Sequence, residues 1–316
     1  MEKMTDCNVG IDVSKSCLDA YRLEDETAAR FENSPKGFRA LTKWLGTESV
    51  ARIVYEPTGP YHRAMERALS EKFPLVKVNP LQARRFAQAS GTRTKTDEMD
   101  ARALARMGSV LSLEPDDPHS ENLHELKDLH VARLGLVKER TRLRNRGQTQ
   151  TNPVLKRQTA ERLRMVDRQI KELDKEIDKL ISDDQAYARK RAILSSIPGL
   201  GPVATGMILT FLPEIGALER KQAGSLAGLV PHNRQSGQWR GKSFISGGRK
   251  VLRDALYMPA LVAARFNPDL RKKYAQLRAD GKPAKVAIVA VMRKLIETAN
   301  ALVKADRFWV PKEACA

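Results

Sequence analysis

Short apolar runs alternate with helix-like segments from residue 1 to about residue 112, and this alternation restricts the fold more than any other feature. Alternation of this kind favours an α/β layer fold, in which helices pack on a central sheet. The predicted strands are Val9–Val13, Cys17–Leu23, Arg52–Tyr55 and Leu75–Val78, with the first two forming a hairpin around Ser14-Lys15. The predicted helices are Gly37–Leu45 and Pro60–Glu71, with one or two more between Leu81 and Met107.

Four acidic residues stand at the ends of these predicted elements. Asp12 follows the apolar residues of the first strand, and Glu56 ends the run Ile53–Tyr55. Asp97 and Asp100 open a helix, where three-residue spacing places both carboxylates on one face. Hard divalent cations take oxygen ligands, and paired ions stabilise the attacking and leaving oxygens of a phosphodiester. The four acids therefore predict a Mg²⁺ site, with Mn²⁺ as a substitute.

A simpler explanation applies to each acid taken singly. An acid after a strand is commonly a turn residue, and an acid such as Asp97 in a first helical turn is favoured by the helix dipole. The order and setting of all four together favour the metal site.

The charge balance indicates a polyanionic partner. Among 316 residues, 56 Lys and Arg oppose 38 Asp and Glu, which gives a net charge of +18. Phosphate contacts supply most of the non-specific affinity for nucleic acid. Because aromatic residues make up only 5% of the chain, we expect backbone contacts by Arg and Lys to outweigh base stacking.

The sequence does not indicate a membrane or secreted protein. No span approaches 18 apolar residues, and the N-terminus lacks the apolar core of a signal peptide. Cys7, Cys17 and Cys315 make neither a disulfide framework nor a zinc-ligand spacing. We expect a cytoplasmic, nucleoid-associated protein with no membrane partner.

From His119 to Asp183 the chain becomes helical and densely charged, and Asn152-Pro153 should interrupt the helix. Its second half has the three–four hydrophobic spacing of a coiled-coil seam: Leu163, Val166, Ile170, Leu173, Ile177 and Leu180. In the first half a leucine heptad is accompanied by Arg133 and Arg140 at the other seam position. The pattern predicts helices that pair in an arm or between subunits. Arg140 and Arg144 are candidate nucleic-acid contacts, and the alternative is a solvated face.

Residues 192–209 read as a helix, a glycine turn and a second helix, which is the helix-hairpin-helix pattern. Such a turn, here with Gly199 and Gly201, can present backbone N–H groups at a helix N-terminus to a phosphate. The alternative is that the two helices simply pack together.

A second glycine-rich segment, Ser246-Gly247-Gly248, follows a polar basic loop that contains Arg240 and Lys242. Glycines let a phosphate approach the backbone, while Arg249 and Arg253 add charge-assisted donors. Ser246 is a candidate nucleophile, although a serine before a helix is also a common N-cap. Ser243, in the same loop, is a rival for either role.

At these motifs the chain resembles the DEDD-type transposases of bacterial insertion-sequence family one hundred and ten, the bridge-RNA-guided recombinases. The resemblance covers nearly the whole length. It is carried by five blocks in order: Val9–Lys15, Tyr55–Gly59, Lys95–Ala101, Ile197–Gly201 and Ile245–Arg249.

The resemblance implies a RuvC-like domain of RNase H-like fold at 1–115, a helical coiled-coil arm at 116–188 and a mainly α-helical transposase domain at 189–316. It implies that Asp12, Glu56, Asp97 and Asp100 bind Mg²⁺ and that Ser246 attacks DNA to give a phosphoserine intermediate. A structured non-coding guide RNA would pair with donor and target DNA. The coiled coil would build a homodimer, and two dimers would join the DNAs.

Two other functions stay open from the residues alone. One is a metal-dependent nuclease of the Holliday-junction-resolving kind, in which activated water attacks and Ser246 is only a cap. The other is a non-catalytic nucleic-acid-binding protein with a degenerate metal site.

Overall fold

A computed structural model describes residues 7–46, 50–91, 97–115, 121–233, 235–237, 239–241 and 243–311. The chain divides into two compact units, Met1–His119 and Ser120–Ala316. The predicted arm and the predicted C-terminal domain fall in the same unit, so the division of the chain into three domains stays a prediction. No described helix is both long enough and apolar enough to cross a membrane.

The first unit contains a mixed sheet whose described strands run in the order β3-β2-β1-β4-β5. Strand β2 is antiparallel to both β1 and β3, whereas β4 runs parallel to both β1 and β5. The bounds are Cys7–Val13 for β1, Cys17–Arg22 for β2, Thr27–Glu32 for β3, Val50–Tyr55 for β4 and Leu75–Lys77 for β5. The α/β prediction and the hairpin around Ser14-Lys15 are confirmed.

Strand β3 was not predicted from the sequence. Its side chains are mostly exposed, because it is an edge strand that pairs only with β2 in the described sheet. An exposed edge strand carries no apolar run, so the signal used to find the other strands is missing here.

Helices cover both faces of this sheet. They are α1 (Pro35–Leu45), α2 (His62–Leu69), α3 (Pro80–Ala89) and α4 (Asp97–Val110). Alternate residues of β1, including Val9 and Ile11, join a core with the apolar residues of α1 and α2. The residues between them, including Gly10, face α4. Strand alternation thus separates an apolar face from the face on which Asp12 stands.

The second unit begins with an antiparallel helical hairpin, α5 (Glu121–Thr149) and α6 (Pro153–Asp183). Its seam closes within the chain, where Leu143, Val166 and Ile170 form a buried cluster. The arginines that interrupt the heptad are accommodated as ion pairs across the hairpin: Arg133 with Asp174 and Arg140 with Asp167. The predicted coiled coil is therefore at least an intramolecular arm.

The rest of the second unit is mainly helical. Its helices are α7 (Gln185–Ser195), α8 (Pro202–Phe211), α9 (Arg220–Leu226), α10 (Lys250–Phe266), α11 (Pro268–Ala279) and α12 (Ala284–Lys304). Between α9 and α10 lie short strands: β6 (Pro231–His232), β7 (Gln235–Ser236), β8 (Trp239–Arg240) and β9 (Phe244–Ile245). Leu126, Ile177 and Ile181, from the base of the arm, belong to the same core as α8, α10 and α12. Burial of this arm base explains why the arm and the C-terminal helices form one unit.

Candidate functional site

The first pair of predicted acids lies at the carboxyl ends of two neighbouring parallel strands. Strand β1 pairs with β4 up to Ile11, which lies opposite Tyr55. The next residue along the chain is Asp12 in β1 and Glu56 directly after β4. Parallel strands end at the same edge of a sheet, so these two acids are placed side by side. Strand topology alone accounts for half of the predicted acidic site.

Helix α4 brings the second pair of acids to this edge. A Cβ on Gly10 would lie 2.0 Å from the carbonyl oxygen of Ala101 and 2.5 Å from the amide of Ala105. The helix backbone can therefore sit directly on β1 only because residue 10 has no side chain. Asp97 is four residues before Ala101, on the same helix face, and Asp100 immediately precedes it.

Electrostatics show that the four predicted acids share one environment. Burial, followed by the negative charges of Asp100, Asp97, Asp19 and Glu56, raises the pKa of Asp12 to about 6. Repulsion among carboxylates disfavours the ionised form of a partly buried acid. The residues brought together are thus the four predicted ones and Asp19, which was not predicted.

Asp19 stands directly opposite Asp12 in the β1–β2 ladder. The predicted hairpin could have revealed it, because the register of a hairpin sets which side chains share a face. Arg30 on β3 donates hydrogen bonds to Asp19 at 2.7 and 3.1 Å and to Asp97 Oδ2 at 3.2 Å. The guanidinium therefore ties the sheet to the first turn of α4.

Within the described residues, no three Asp, Glu, His or Cys side chains stand in a ready-made arrangement for a metal ion. Asp97 is engaged by Arg30 instead. The donor chemistry still fits Mg²⁺, which prefers carboxylate oxygens, and a cation would relieve the repulsion that raises the pKa of Asp12. The acids fit a divalent cation provided that Asp97 turns away from Arg30.

The predicted serine lies on an exposed loop of the second unit, between β9 and α10. Helix α10 begins at Lys250 with Arg249 as its N-cap, so the interpretation of Ser246 as the N-cap is wrong. Among the described residues, the Ser246 hydroxyl has no hydrogen-bond partner, whereas Ser243 Oγ lies 2.6 Å from Asn233 Oδ1. Of the two rival serines, Ser246 has the unengaged hydroxyl.

The loop that carries Ser246 is held by close backbone packing. Gly248 has a φ of 61°, and a Cβ on it would lie 2.3 Å from the amide nitrogen of Gly228. Arg253 donates to the Gly247 carbonyl at 2.7 Å, and the Arg249 amide donates to the Leu226 carbonyl at 2.7 Å. These contacts fix the backbone on either side of the serine and leave Gly247 in open space.

Two arginines predicted to contact phosphate are engaged inside the protein. The Arg249 guanidinium forms a two-pronged ion pair with Glu214, at 2.6 and 2.7 Å, and also donates to the Phe211 carbonyl. Arg253 bonds the carbonyls of Gly228 and Gly247. Both arginines therefore shape the serine loop, and their contact with nucleic acid stays a prediction.

The predicted glycine turn lies between α7 and α8, and its two glycines have different settings. A Cβ on Gly199 would lie 2.7 Å from the Ala263 Cβ, so Gly199 permits close packing on α10. Gly201 is the N-cap of α8 and faces open space. Gly201, rather than Gly199, remains accessible to a phosphate.

The other predicted nucleic-acid contacts are spread over the second unit. Arg140 pairs with Asp167, whereas Arg144 is exposed. Lys242 and the side chain of Arg240 lie outside the described residues.

Comparison with known proteins gives a consistent identification. Residues 9–152 match a transposase family model, and residues 191–275 match the model described as "Transposase IS116/IS110/IS902 family". The chain is 32% identical to the pilin gene-inverting proteins of Moraxella bovis and Moraxella lacunata, over 96% of its own length and 98% of theirs. It is 26% identical to the transposase for insertion sequence element IS1328 of Yersinia enterocolitica, over 80% of this chain and 83% of that one. This chain belongs to the IS110 family of transposases, enzymes that bind and process DNA.

Proposed function

We propose that this protein is an RNA-guided recombinase of an insertion sequence that cleaves and exchanges DNA strands through a covalent phosphoserine intermediate. The observation that carries the proposal is the shared environment of Asp12, Glu56, Asp97 and Asp100 at one edge of the sheet. The Ser246 hydroxyl, exposed and without a hydrogen-bond partner in the described part of the chain, supports it. The mixed sheet, with acids on β1, after β4 and on α4, supports an RNase H-like, RuvC-like assignment for the first unit.

In the proposed reaction, Ser246 Oγ attacks a DNA phosphorus. An O–P bond to the serine forms as the bond from phosphorus to a deoxyribose oxygen breaks. The serine loses its proton and the leaving oxygen gains one. The number of phosphate ester bonds is unchanged, so the reverse step can rejoin a new strand without ATP.

A serine hydroxyl is a weak nucleophile unless a base or a metal activates it. The four acids would hold Mg²⁺, or Mn²⁺ in its place, and the bound ion would supply Lewis-acid stabilisation of the phosphate charge. The chain's own contribution is to set the carboxylates at one sheet edge and to hold the serine on a fixed loop. We propose that these two groups meet on the DNA, within one subunit or between subunits of a dimer of dimers.

The relatives support recombination over simple cutting. Two of them are named for inverting a pilin gene, and inversion requires that both ends of a segment be cut and rejoined. The net charge of +18 supports binding of two DNAs and a structured guide RNA, since each phosphate contact adds affinity.

The test is to incubate the full chain with DNA carrying the ends of its element, the RNA from the flanking non-coding region and Mg²⁺. We expect a covalent protein–DNA adduct whose phosphorylated residue, mapped by mass spectrometry, is Ser246. Ser246→Ala should abolish the adduct, and Ser243→Ala, the matched control, should retain it. Chelation by EDTA should abolish it and Mn²⁺ should restore it.

Two outcomes would reject the mechanism. Strand cutting that survives Ser246→Ala without an adduct would identify a nuclease that uses water. An adduct that survives both Asp12→Asn and Asp100→Asn would show that the acids have no part in the chemistry.

A further inference from the structure

A cavity of about 450 Å³ lies beside the loop that carries Ser246. One wall contains Ser243, Phe244 and Ile245, the residues that lead directly into Ser246. The opposite wall is one face of α12, with Val286, Val289 and Ala290 at its apolar centre. Its volume lies within the roughly 300–1,000 Å³ usual for small-molecule sites.

The apolar surface of this cavity is unusually open to solvent. Val286 is 51% exposed and Phe244 is 39% exposed, although the core of the same unit lies close behind them. Exposed apolar groups that face each other across a cavity favour an occupant that presents apolar surface to both walls.

The rim of the cavity is positively charged. Its one acid, Glu297, is 4% exposed and accepts hydrogen bonds from Arg220 at 2.9 Å and Arg293 at 2.8 Å. Lys273 and Lys285 have no carboxylate partner among the described residues. Because the acid is already neutralised by two arginines, the rim attracts an anion.

The positive surface continues away from the serine. A second cavity, of about 900 Å³, shares Arg220, Lys273, Lys294 and Glu297 with the first. It adds the cations Lys272, Lys304 and Arg307 and the acids Glu219 and Asp269, of which Glu219 pairs with Lys304 at 3.0 Å. The two together form a groove along α12 that ends at the Ser246 loop. A groove with one apolar chamber and a run of cations matches a polymer of flat bases joined by phosphates.

We propose that the chamber between Phe244 and α12 holds one base of the DNA strand attacked by Ser246, with that strand's phosphates on the lysines of the rim. The base would lie next to the scissile phosphate, because Phe244 is two residues from Ser246. Stacking of one base on an aromatic ring contributes about 1–3 kcal/mol. The pocket would thereby place the phosphate at the serine. This inference rests on the proposed role of Ser246.

The experiment uses the full chain carrying Ser246→Ala, so that binding is measured without cleavage. The probes are a deoxyuridine 12-mer, a 12-mer of abasic deoxyribose phosphates and a uridine 12-mer of RNA. Phe244→Ala should weaken binding of the deoxyuridine probe roughly 5- to 150-fold and leave the abasic probe unchanged. Phe266→Ala, at an exposed phenylalanine on α10, is the matched control and should change neither affinity.

Lys285→Ala distinguishes the contribution of the phosphates from that of the base. It should weaken binding of the deoxyuridine and abasic probes alike. Photocrosslinking a probe that contains 5-iodo-deoxyuridine provides a measurement that needs no variant. We expect crosslinks at lining residues of the chamber such as Phe244, Val286 and Val289.

The pocket is rejected if Phe244→Ala lowers the affinity for the deoxyuridine and abasic probes equally. It is also rejected if the crosslinks map elsewhere, or if only binding of the RNA probe depends on Phe244. Failure of the proposed function has a different signature. In that case the parent protein, which retains Ser246, forms no adduct at that serine, while base-dependent binding at Phe244 persists.

Discussion

Arg30 joins Asp97 at the start of α4, with its Nη2 lying 3.2 Å from Asp97 Oδ2, and it binds Asp19 on the neighbouring strand as well. Two carboxylates from distant parts of the chain therefore share one guanidinium. Both carboxylates are among the charges that raise the pKa of Asp12. Arg30 and a divalent cation would compete for Asp97.

Replacing Arg30 should strengthen binding of a divalent cation. We expect Arg30→Gln to tighten Mn²⁺ binding roughly twofold to fivefold, the range typical of losing one exposed ion pair. Electron paramagnetic resonance of free Mn²⁺ measures the affinity. Arg102→Gln is the matched control, because Arg102 pairs with Glu26 instead. Weaker binding in Arg30→Gln would show that the guanidinium orders the acids for the ion.

Adding one methyl group to Gly10 should displace α4 from the sheet. A Cβ there would overlap the Ala101 carbonyl, so we expect Gly10→Ala to lower the free energy of unfolding by about 1–3 kcal/mol or more. Mn²⁺ affinity should fall with it, because Asp97 and Asp100 move with the helix. Urea unfolding and Mn²⁺ titration measure the two effects.

Gly135→Ala provides the control for this substitution. Gly135 lies within α5 with nothing near its absent Cβ, so alanine should be neutral or stabilise by about 0.5–1 kcal/mol. A Gly10→Ala protein as stable as the parent would contradict the close packing of α4 on β1 at this residue.

The serine loop should depend on Gly248. Its φ is 61°, and a Cβ added to it would lie 2.3 Å from the Gly228 amide nitrogen, so Gly248→Ala must move the loop. We expect at least a tenfold loss of the Ser246–DNA adduct, with the fold of the first unit unchanged by circular dichroism. Gly201→Ala, in open space at an ordinary φ, should cost far less. Equal adduct yields would argue against a loop held for chemistry.

Acid should destabilise the second unit through His130. Burial, together with the charge of Arg133, lowers the pKa of this imidazole to about 4, while Asp174 opposes the shift. Between pH 6.5 and 4 the unfolded chain takes up a proton that the folded protein does not, so stability falls as the pH falls. The loss should reach about 3 kcal/mol at pH 4.

Urea unfolding at pH 7.5, 5.5 and 4.5 measures this loss. The His130→Leu variant should show a shallower pH dependence than the parent protein. If His130→Leu leaves the dependence of stability on pH unchanged, protonation of another group causes the loss at low pH.

The alternating pattern of the first unit predicted most of its architecture because strand and helix periodicities are local properties. The sequence placed β1, β2, β4 and β5 within two residues of their observed bounds. It missed β3, which has no buried face, and therefore missed Arg30. It also missed Asp19, which becomes part of the site only through the hairpin register.

The serine loop illustrates the opposite case. Ser243 and Ser246 were rivals in the sequence, since both are small polar residues in one basic loop. The start of α10 at Lys250 removed the capping role from Ser246, and a contact with Asn233 engaged Ser243. That contact joins residues ten apart across the loop, which local propensity does not determine.

Local sequence was sufficient for the α/β class of the first unit, the paired helices of the arm, the positive charge and the order of the acidic and serine motifs. These depend on periodicity, composition and spacing, which neighbouring residues carry. Long-range packing was needed to show that Asp19 and Arg30 join the acids, that Arg249 and Arg253 support the loop, and that an apolar chamber lies beside Ser246. Apart from Asp19, which the hairpin register could have placed, those relationships join residues far apart in the chain, so no local pattern can encode them.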